Sequence, residues 1–381
     1  MKPLTLEIHG ANAHNRGSEL SAIAVAEQVR ARVPNCRIVV PPSFGSFQAR
    51  AKHLFLTTWE MPTGVRTKNI LRFAPLPLKR AAGLVDPKEI DVVLDVSDYS
   101  LSDDITTSAA SVLLTKMTRR DRRHQVLALL PQGLGPFTKP NVTKVARALM
   151  ERASIVCARD DVSFAAATTL VERSKVRRFP DVTATAPSQF PHDFKFPPHF
   201  SAIVPSSKVL KQSERPEDYL EFLTYAANAL RRRNLNPVIV LHHRSEDRQV
   251  VDGLAQMSAD IPVWDHEDAR ALRAIIGRAT LVVGSRYHAL LNGLMQGVPC
   301  IAAGWSHIFR ELLREFDSEE MVVPDPTNIA ALDALLNRAS EHSFREQQTQ
   351  RILQRAERVR DQVRELWSTL DPLLMGESRT M

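Results

Sequence analysis

Cysteine is scarce in this chain, and its placement excludes two classes of protein. The three cysteines, Cys36, Cys157 and Cys300, are far apart in sequence. This spacing offers neither the clustered thiolates of a zinc site nor the paired cysteines of a disulfide-stapled secreted domain. The sequence therefore predicts a protein of the reducing cytoplasm.

Long apolar runs are also missing. No stretch approaches the roughly 18 apolar residues that a membrane-spanning helix requires. At the amino terminus Leu4, Leu6 and Ile8 alternate with polar residues as in a strand, and the segment is too short and polar for a signal peptide. We therefore expect any contact with a membrane to be peripheral, at its inner face.

Several nucleotide-binding signatures are absent. The glycine-containing turns match neither the GxGxxG pattern nor a Walker loop, and there is no helix-turn-helix, RNA-binding motif or solenoid repeat. Positive charge is in excess, with 50 Lys and Arg against 43 Asp and Glu, a net charge of +7. A phosphorylated small molecule, a lipid-linked diphosphate, a membrane surface or a nucleic acid would suit this excess, as would a solvated basic face. Because no nucleic-acid motif is present, we do not expect that partner.

Strand and helix patterns alternate along most of the chain. With 381 residues and 44% hydrophobic content, the chain can form two sizeable cores. The pattern predicts an α/β protein of two Rossmann-like, doubly wound domains facing across a cleft. The domains are predicted at 1–186 and 201–342, joined by the proline-containing linker 187–200 and followed by a helix and tail at 343–381.

Polar turns follow several predicted strands, and ligands of α/β sheets bind at the carboxyl ends of the strands. The most informative stretch is 280–316, where a helix is predicted to be capped by Ser285. Its two turns carry four chemically useful residues, which are Arg286, His288, Ser306 and His307. An arginine and a histidine at a helix start predict an anion site with a titratable group beside it.

The first half repeats this arrangement. A polar loop at 10–19 precedes a helix, and a glycine- and proline-containing turn lies at 131–137. Arg159 follows another predicted strand. Acidic and hydroxyl residues cluster at the carboxyl end of the predicted strand 91–96, namely Asp95, Ser97, Asp98, Tyr99, Asp103 and Asp104.

A long helix is predicted over 343–370. Its apolar positions recur at alternating steps of four and three and form a single stripe. These positions are Ile352, Ala356, Val359, Val363, Leu366 and Leu370. Arginines occupy much of the remaining surface, which indicates either a solvated basic face or a patch for anionic lipid headgroups.

Five stretches in order resemble the polysaccharide pyruvyl transferase family. They are the loop 15–19, the turn LLPQGLGPF, Arg159-Asp160 with Ser163, Pro-Asp-Val at 180–182, and the combined GSRYHAL and GVPCIAAGWSH segments. The resemblance covers roughly residues 4–316. The chain departs from the family pattern at Asp98, where a glycine is common, at Ser206, where an asparagine is usual, and at Ile308, where a lysine is frequent. The missing lysine leaves open whether the usual donor and acceptor are used.

The resemblance implies a fold and a reaction. The fold would be glycosyltransferase-B-like. A pyruvyl group would pass from phosphoenolpyruvate to two hydroxyls of a saccharide, forming a ketal and releasing phosphate. The acceptor would be an exopolysaccharide or other cell-surface glycan precursor, free or lipid-linked, and no metal or other cofactor would be needed.

Roles for individual residues follow from this chemistry. The planar fork of arginine suits phosphate and carboxylate groups, so Arg159 and Arg286, one on each domain, are predicted to clamp the donor. The predicted donor-binding residues are Arg159, Arg286, Ser285, Ser306 and His307. The predicted catalytic residues are His288 as general acid and Asp95, Asp98 or Asp103 as base. The predicted acceptor-binding residues are Asn15, Arg16, Glu19 and Gln132.

Two other functions stay open from the sequence. A glycosyltransferase that uses a nucleotide sugar has the same fold, although the second domain lacks an obvious carboxylate pair for a nucleotide ribose. A non-catalytic anion-binding or nucleic-acid-binding module would account for the net charge of +7. His14, His242 and His243 are predicted to be structural in either case.

Overall fold

A computed structural model describes residues 3–58, 75–103, 108–119, 122, 124–191, 194–197, 199–257 and 260–376. The chain divides into two compact units, neither of which is a single continuous stretch. The first unit comprises residues 1–13, 21–182 and 362–381. The second comprises residues 14–20 and 183–361.

The first unit is built on a parallel sheet that has eight strands in the described part of the chain. These are β1 (Thr5–His9), β2 (Arg37–Val40), β3 (Leu56–Thr58), β4 (Leu84–Val85), β5 (Val92–Asp95), β6 (Val126–Gln132), β7 (Ile155–Ala158) and β8 (Val176–Arg178). Their spatial order is β4-β3-β2-β1-β5-β6-β7-β8. The winding therefore reverses between β1 and β5, which creates a switch point where ligands of open α/β sheets bind.

Helices alternate with these strands. They are α1 (Arg16–Arg32), α2 (Phe47–Lys52), α3 (Leu76–Ala81), α4 (Ser108–Thr118), α5 (Pro140–Arg152) and α6 (Asp161–Thr168). In α5, Pro140 at the start has a preset φ and no N–H to leave unsatisfied, while Val142, Ala146 and Leu149 bury one apolar face. The first turn of α1 belongs to the second unit and the rest of that helix to the first.

The second unit repeats the pattern with a parallel sheet of six strands among the described residues. They are β9 (Ser201–Val204), β10 (Pro237–Val240), β11 (Val263–Trp264), β12 (Leu281–Gly284), β13 (Cys300–Ala303) and β14 (Val322–Val323). The order β11-β10-β9-β12-β13-β14 puts the switch point between β9 and β12. The helices are α7 (Ser207–Gln212), α8 (Pro216–Arg232), α9 (Arg248–Gln256), α10 (Ala269–Ile276), α11 (Tyr287–Leu294), α12 (His307–Glu315) and α13 (Ile329–Ser340).

The last helix, α14 (His342–Met375), is the one predicted from its apolar stripe. All six stripe residues are buried, so the predicted core face is confirmed. Within the second unit Arg355 binds the carboxylate of Asp317, and Arg360 binds Glu357 and the carbonyl oxygen of Met295. Part of the basic face is therefore engaged by the protein's own acceptors.

The predicted fold class is confirmed as α/β with two Rossmann-like, doubly wound parallel sheets. Although the segment 41–80 holds five prolines and shows no clear sequence period, its described part contains α2, β3 and α3; residues 59–74 lie outside the described part. In the second unit, Phe194 and Phe200 of the proline-containing stretch pack on Trp264 with ring centroids 4.8 and 4.9 Å apart. No helix among the described residues is long and apolar enough to cross a membrane.

Candidate functional site

Polar side chains collect at the switch point of each sheet, where two neighbouring strands end. In the first unit β1 ends at His9 and β5 at Asp95. In the second unit β9 is followed by Ser206, and β12 by Ser285 and Arg286. Each unit therefore presents its own polar cluster.

Arg286 is the main cation of the second unit's cluster. It stands at the position before the first turn of α11, and its guanidinium binds the carboxylate of Asp247 and lies 3.4 Å from the Ser207 hydroxyl. Asp247 is fully buried and also accepts from the backbone N–H groups of Ser207 (3.1 Å) and His243 (2.9 Å). These bonds fix the guanidinium at the carboxyl end of β12. Sequence reasoning missed Asp247, because it lies 39 residues before Arg286.

His288 lies two residues further along and is 7% exposed. Its ring packs directly on the backbone of Gly17 in the first turn of α1, where an added Cβ would come within 2.5 Å of Nδ1. Only a residue without a side chain allows this approach. The close approach of His288 therefore explains why a glycine stands at position 17, which the sequence alone did not explain.

The start of α1 is anchored to the loop after β10. The Asn15 side chain caps the helix by accepting from the N–H of Gly17 at 2.9 Å, and Asn15 forms an antiparallel bridge with His243. The N–H of Arg16 donates to the carbonyl oxygen of His242 at 3.1 Å. The buried side chain of Arg16 binds Glu19 at 2.8 Å. These contacts place Asn15, Arg16 and Glu19, the predicted acceptor residues, in the same unit as Arg286 and His288.

Two histidines that the sequence assigned as structural lie in this cluster. His242 is buried beside His288, Arg286 and Arg16, and burial together with these positive neighbours holds its pKa well below the ordinary value. Burial also lowers the pKa of His243, although Glu246 opposes the change. We define the histidine–arginine cluster as Arg16, Glu19, His242, Asp247, Arg286 and His288.

Three other predicted donor residues lie close to the ends of β12 and β13. Ser285 is buried and its N–H donates to Val204 at 3.0 Å. The predicted cap by Ser285 was wrong, because α11 begins at Tyr287 with Arg286 before it. Ser306 precedes α12 without a capping hydrogen bond from its side chain, and His307 is the first residue of that helix.

In the first unit, Asp95 is fully buried at the end of β5. Its carboxylate accepts from the hydroxyl of Ser97 and from Nε2 of Gln132 at 3.1 Å. Burial raises the pKa of Asp95, with the hydrogen bonds from Ser97 and Gln132 opposing the rise. Gln132, predicted to contact the acceptor, here orients the carboxylate of Asp95.

Arg159 is buried after β7 and binds two carboxylates of the same unit. It pairs with Asp98 and, at 3.2 Å, with Asp181 of the Pro-Asp-Val segment. The Asp98 side chain is 43% exposed, whereas that of Asp181 is 4% exposed. The neighbouring Asp160 caps α6 through the N–H of Ser163 at 2.7 Å. The Arg-Asp-x-x-Ser stretch therefore combines an ion-pairing arginine with a helix start.

Asp103 has different surroundings from the other predicted carboxylates. It accepts from the hydroxyl and N–H of Thr138 and from the N–H of Lys139 at 3.2 Å. Burial alone would raise the pKa of Asp103, but these hydrogen bonds lower it below the ordinary value. Asp104 lies outside the described residues.

Glu7, in the middle of β1, is a further buried charge that sequence reasoning missed. Its carboxylate binds Lys116 of α4 and Nδ1 of His9 at 3.0 Å. Burial alone would raise the pKa of Glu7, yet Lys116 and His9 outweigh it and hold the pKa far below its ordinary value. The alternation of β1 gave no signal of this burial, because it is typical of a strand with one solvated face, whereas every residue of β1 except His9 is buried.

The model of the polysaccharide pyruvyl transferase family matches residues 15–307, which is most of the chain. This chain belongs to the polysaccharide pyruvyl transferase family. The match begins at the α1 cap Asn15 and ends at His307. As a pyruvyl transferase of this family, the protein is an enzyme. A search of curated proteins finds none that matches the chain.

Solved structures similar to this pyruvyl transferase share its fold. Staphylococcus aureus MnaA with UDP has a TM-score of 0.61 at 8% identity, over 93% of this chain and 94% of that chain. Anabaena HepE in complex with UDP and glucose has a TM-score of 0.59 at 12% identity, over 97% and 99%. A putative UDP-N-acetylglucosamine 2-epimerase from Listeria monocytogenes has a TM-score of 0.58 at 11% identity, over 94% and 95%. At such identities the likeness shows the glycosyltransferase-B-like fold alone.

Proposed function

We propose that this pyruvyl transferase moves a pyruvyl group from phosphoenolpyruvate to two hydroxyls of a saccharide that is a precursor of an exopolysaccharide or other cell-surface glycan. One observation carries the proposal beyond family membership. Arg286 and His288 stand together at the start of α11, at the switch point of the second sheet. A fixed cation and an imidazole suit a donor that carries phosphate and must accept a proton.

Phosphoenolpyruvate presents a phosphate and a carboxylate, both of which arginine binds through parallel N–H groups. Arg286 is held in place by Asp247, so binding the donor requires little ordering of its side chain. We assign the phosphate to the histidine–arginine cluster. The predicted role of Arg159 toward the donor stays a prediction, since its present partners are Asp98 and Asp181.

The proposed reaction transfers a pyruvyl group, and the protons lost by the two sugar hydroxyls balance those taken up by the methylene carbon and by the released phosphate. His288 gives a proton to the methylene carbon of the donor, and the neighbouring carbon becomes oxocarbenium-like. The first sugar hydroxyl adds there and loses its proton to a base. The C–O bond to phosphate then breaks, the phosphate leaves, and the second hydroxyl closes the ketal with loss of its proton. General acid–base assistance of this kind contributes about 10²–10⁴ in rate. None of these steps requires a metal or cofactor, so activity in excess EDTA is expected.

Among the three predicted bases, the surroundings favour Asp98. Its side chain is partly exposed, while Asp95 is buried under Ser97 and Gln132 and Asp103 is bound by Thr138 and Lys139. A base must reach the proton that it removes. Asp95 is better suited to ordering the loop that carries Asp98.

A nucleotide-sugar glycosyltransferase is the second candidate, because solved structures of the same fold contain UDP. Labelled phosphoenolpyruvate and labelled UDP-sugars are each incubated with methyl hexopyranosides, whose hydroxyl pairs can close a ketal ring. The proposal expects label from phosphoenolpyruvate in the glycoside and one phosphate released per label, dependent on acceptor. Label arriving only from the UDP-sugar would establish the second candidate instead.

The same assay tests Arg286. Arg286→Ala is expected to raise the KM for phosphoenolpyruvate roughly tenfold or more, because a charge-assisted hydrogen bond is lost, and to lower kcat. Arg244→Ala is the matched control, since Arg244 is half-exposed and binds Asp265 and Glu267 at the surface. Unchanged kinetics in a folded Arg286→Ala variant would remove this residue from the donor site.

A further inference from the structure

His242 is an imidazole of the histidine–arginine cluster that the proposed reaction does not use. It follows β10 and is 3% exposed. Its own carbonyl oxygen is bound by the N–H of Arg16, and its neighbour His243 bridges to Asn15. The backbone of this histidine is therefore fixed against the first turn of α1, within the second unit.

Each of the two arginines in the cluster already has a carboxylate partner. Arg16 is paired with Glu19 and Arg286 with Asp247, which gives two positive and two negative side chains. The groups that face His242 electrostatically are His288 and Arg286 from the start of α11, Arg16 from α1, and His243 beside it. A multiply charged anion entering this cluster would meet no excess of fixed positive charge.

We propose that His242 is a further donor-binding residue, which takes up a proton when the phosphate group of the donor enters the cluster. The inference rests on the proposed function for the identity of the donor. It assigns His242 a role distinct from that of His288, because His242 keeps its proton as a counter-charge while His288 gives one to carbon.

The physical reason is that a buried charge needs a partner. A doubly charged phosphate beside Arg286 would leave negative charge uncompensated at a buried position, which is costly. A nearby negative charge favours the charged form of histidine and raises its pKa. Burial and the positive neighbours by themselves keep the pKa of His242 low.

Other titratable groups nearby are less suited to this role. Burial raises the pKa of Tyr219 to about 12, so its phenol is already protonated at neutral pH. Glu19 and Asp247 are acidic and already serve as the partners of two arginines. His243 has Glu246 within 3.7 Å of Nε2, so its counter-charge is already present.

The test uses sulfate, a dianion that does not itself titrate near neutrality. The full-length protein is labelled at the histidine Cε1 position, and each imidazole is titrated by NMR with and without saturating sulfate. The signal missing from His242→Gln identifies His242. Its midpoint is expected to lie low without sulfate and to move upward by about one pH unit or more with sulfate. The exposed His342 on α14 serves as an internal reference.

Each outcome decides the inference. A rise at His242 that persists in His243→Gln supports it, as does a sulfate Kd that tightens on acidification in the wild type but much less in His242→Gln. A His242 midpoint that sulfate leaves unchanged, or a rise carried by His243 instead, overturns it. The titration itself is carried out on the wild-type protein, and a variant is needed only to assign the His242 signal. If His242→Gln does not fold, His242→Asn serves for that assignment. If phosphoenolpyruvate proves not to be the donor while the rise persists, the proposed function fails and the anion site stands.

Discussion

Three aspartates at and after the end of β5 show how far identical side chains differ in their surroundings. Asp95 is buried, which raises its pKa. Asp98 is partly exposed and pairs with Arg159. Asp103 accepts hydrogen bonds from Thr138, which lower its pKa. The sequence placed all three at the end of a strand and offered them as alternatives for the base. It could not choose among them, because Gln132, Thr138 and Arg159, which distinguish them, lie 35 to 61 residues away.

Asp98→Asn is expected to lower kcat by about 10²–10⁴, because the amide cannot accept the hydroxyl proton. Asp103→Asn is expected to act mainly on stability, since it weakens the bonds to Thr138 and Lys139. Steady-state kinetics and urea unfolding of both variants measure the difference. Equal loss of kcat in the two variants would mean that the loop acts as a unit and that Asp98 has no special role.

At the scale of elements, two helix starts build the histidine–arginine cluster. The helices themselves were predictable from their apolar periodicity, and α14 was found nearly to its ends. Their starts were less predictable, as the wrong cap at Ser285 shows. The contact between Gly17 and His288 joins residues 271 positions apart, so no local pattern reports it.

Gly17→Ala tests that contact. The added Cβ would come within 3.0 Å of three side-chain atoms of His288, namely Nδ1, Cγ and Cβ, so this side chain must move. A displacement of about 1 Å at a catalytic group costs on the order of 10²-fold in rate, and we expect kcat/KM to fall accordingly while the protein stays folded.

Gly253→Ala in α9 is the matched control, because its Cβ would meet only the flexible end of Leu220. It replaces a helical glycine and is expected to keep activity. Full activity in folded Gly17→Ala would show that His288 does not need its present position.

At the scale of the whole molecule, the two sheets were predictable because alternating strands and helices leave few topologies open. Short edge strands such as β4 and β14 were not predictable, because a strand of two residues is too short to show an alternation of apolar and polar residues. The buried ion pair of Glu7 with Lys116 in the first unit was not predictable either, because the two residues lie 109 positions apart in sequence.

This buried pair predicts how the protein responds to acid. The folded pKa of Glu7 lies below its unfolded value, so the unfolded state binds more protons as the pH falls. The stabilisation is fully present above about pH 4.5 and is lost progressively below it. Glu7→Gln is expected to cost about 3–5 kcal/mol at neutral pH and to flatten the acid dependence.

Urea midpoints between pH 3 and 7 measure this effect. Glu89→Gln is the control, because its pair with Arg37 is partly exposed and contributes little. An acid dependence that is unchanged in Glu7→Gln would assign the low-pH unfolding to other carboxylates.

Each of the two units is formed by separated stretches of the chain, which limits where the protein can be truncated. A recombinant fragment of residues 183–361 would carry His242, Arg286 and His288 but would lack residues 14–20, and with them Arg16, Gly17 and Glu19. A fragment that stops at residue 182 would lack Trp367, which packs with the guanidinium of Arg32 in the first unit. Expression of separate halves would therefore yield incomplete pieces, and ligand screening calls for the intact polypeptide.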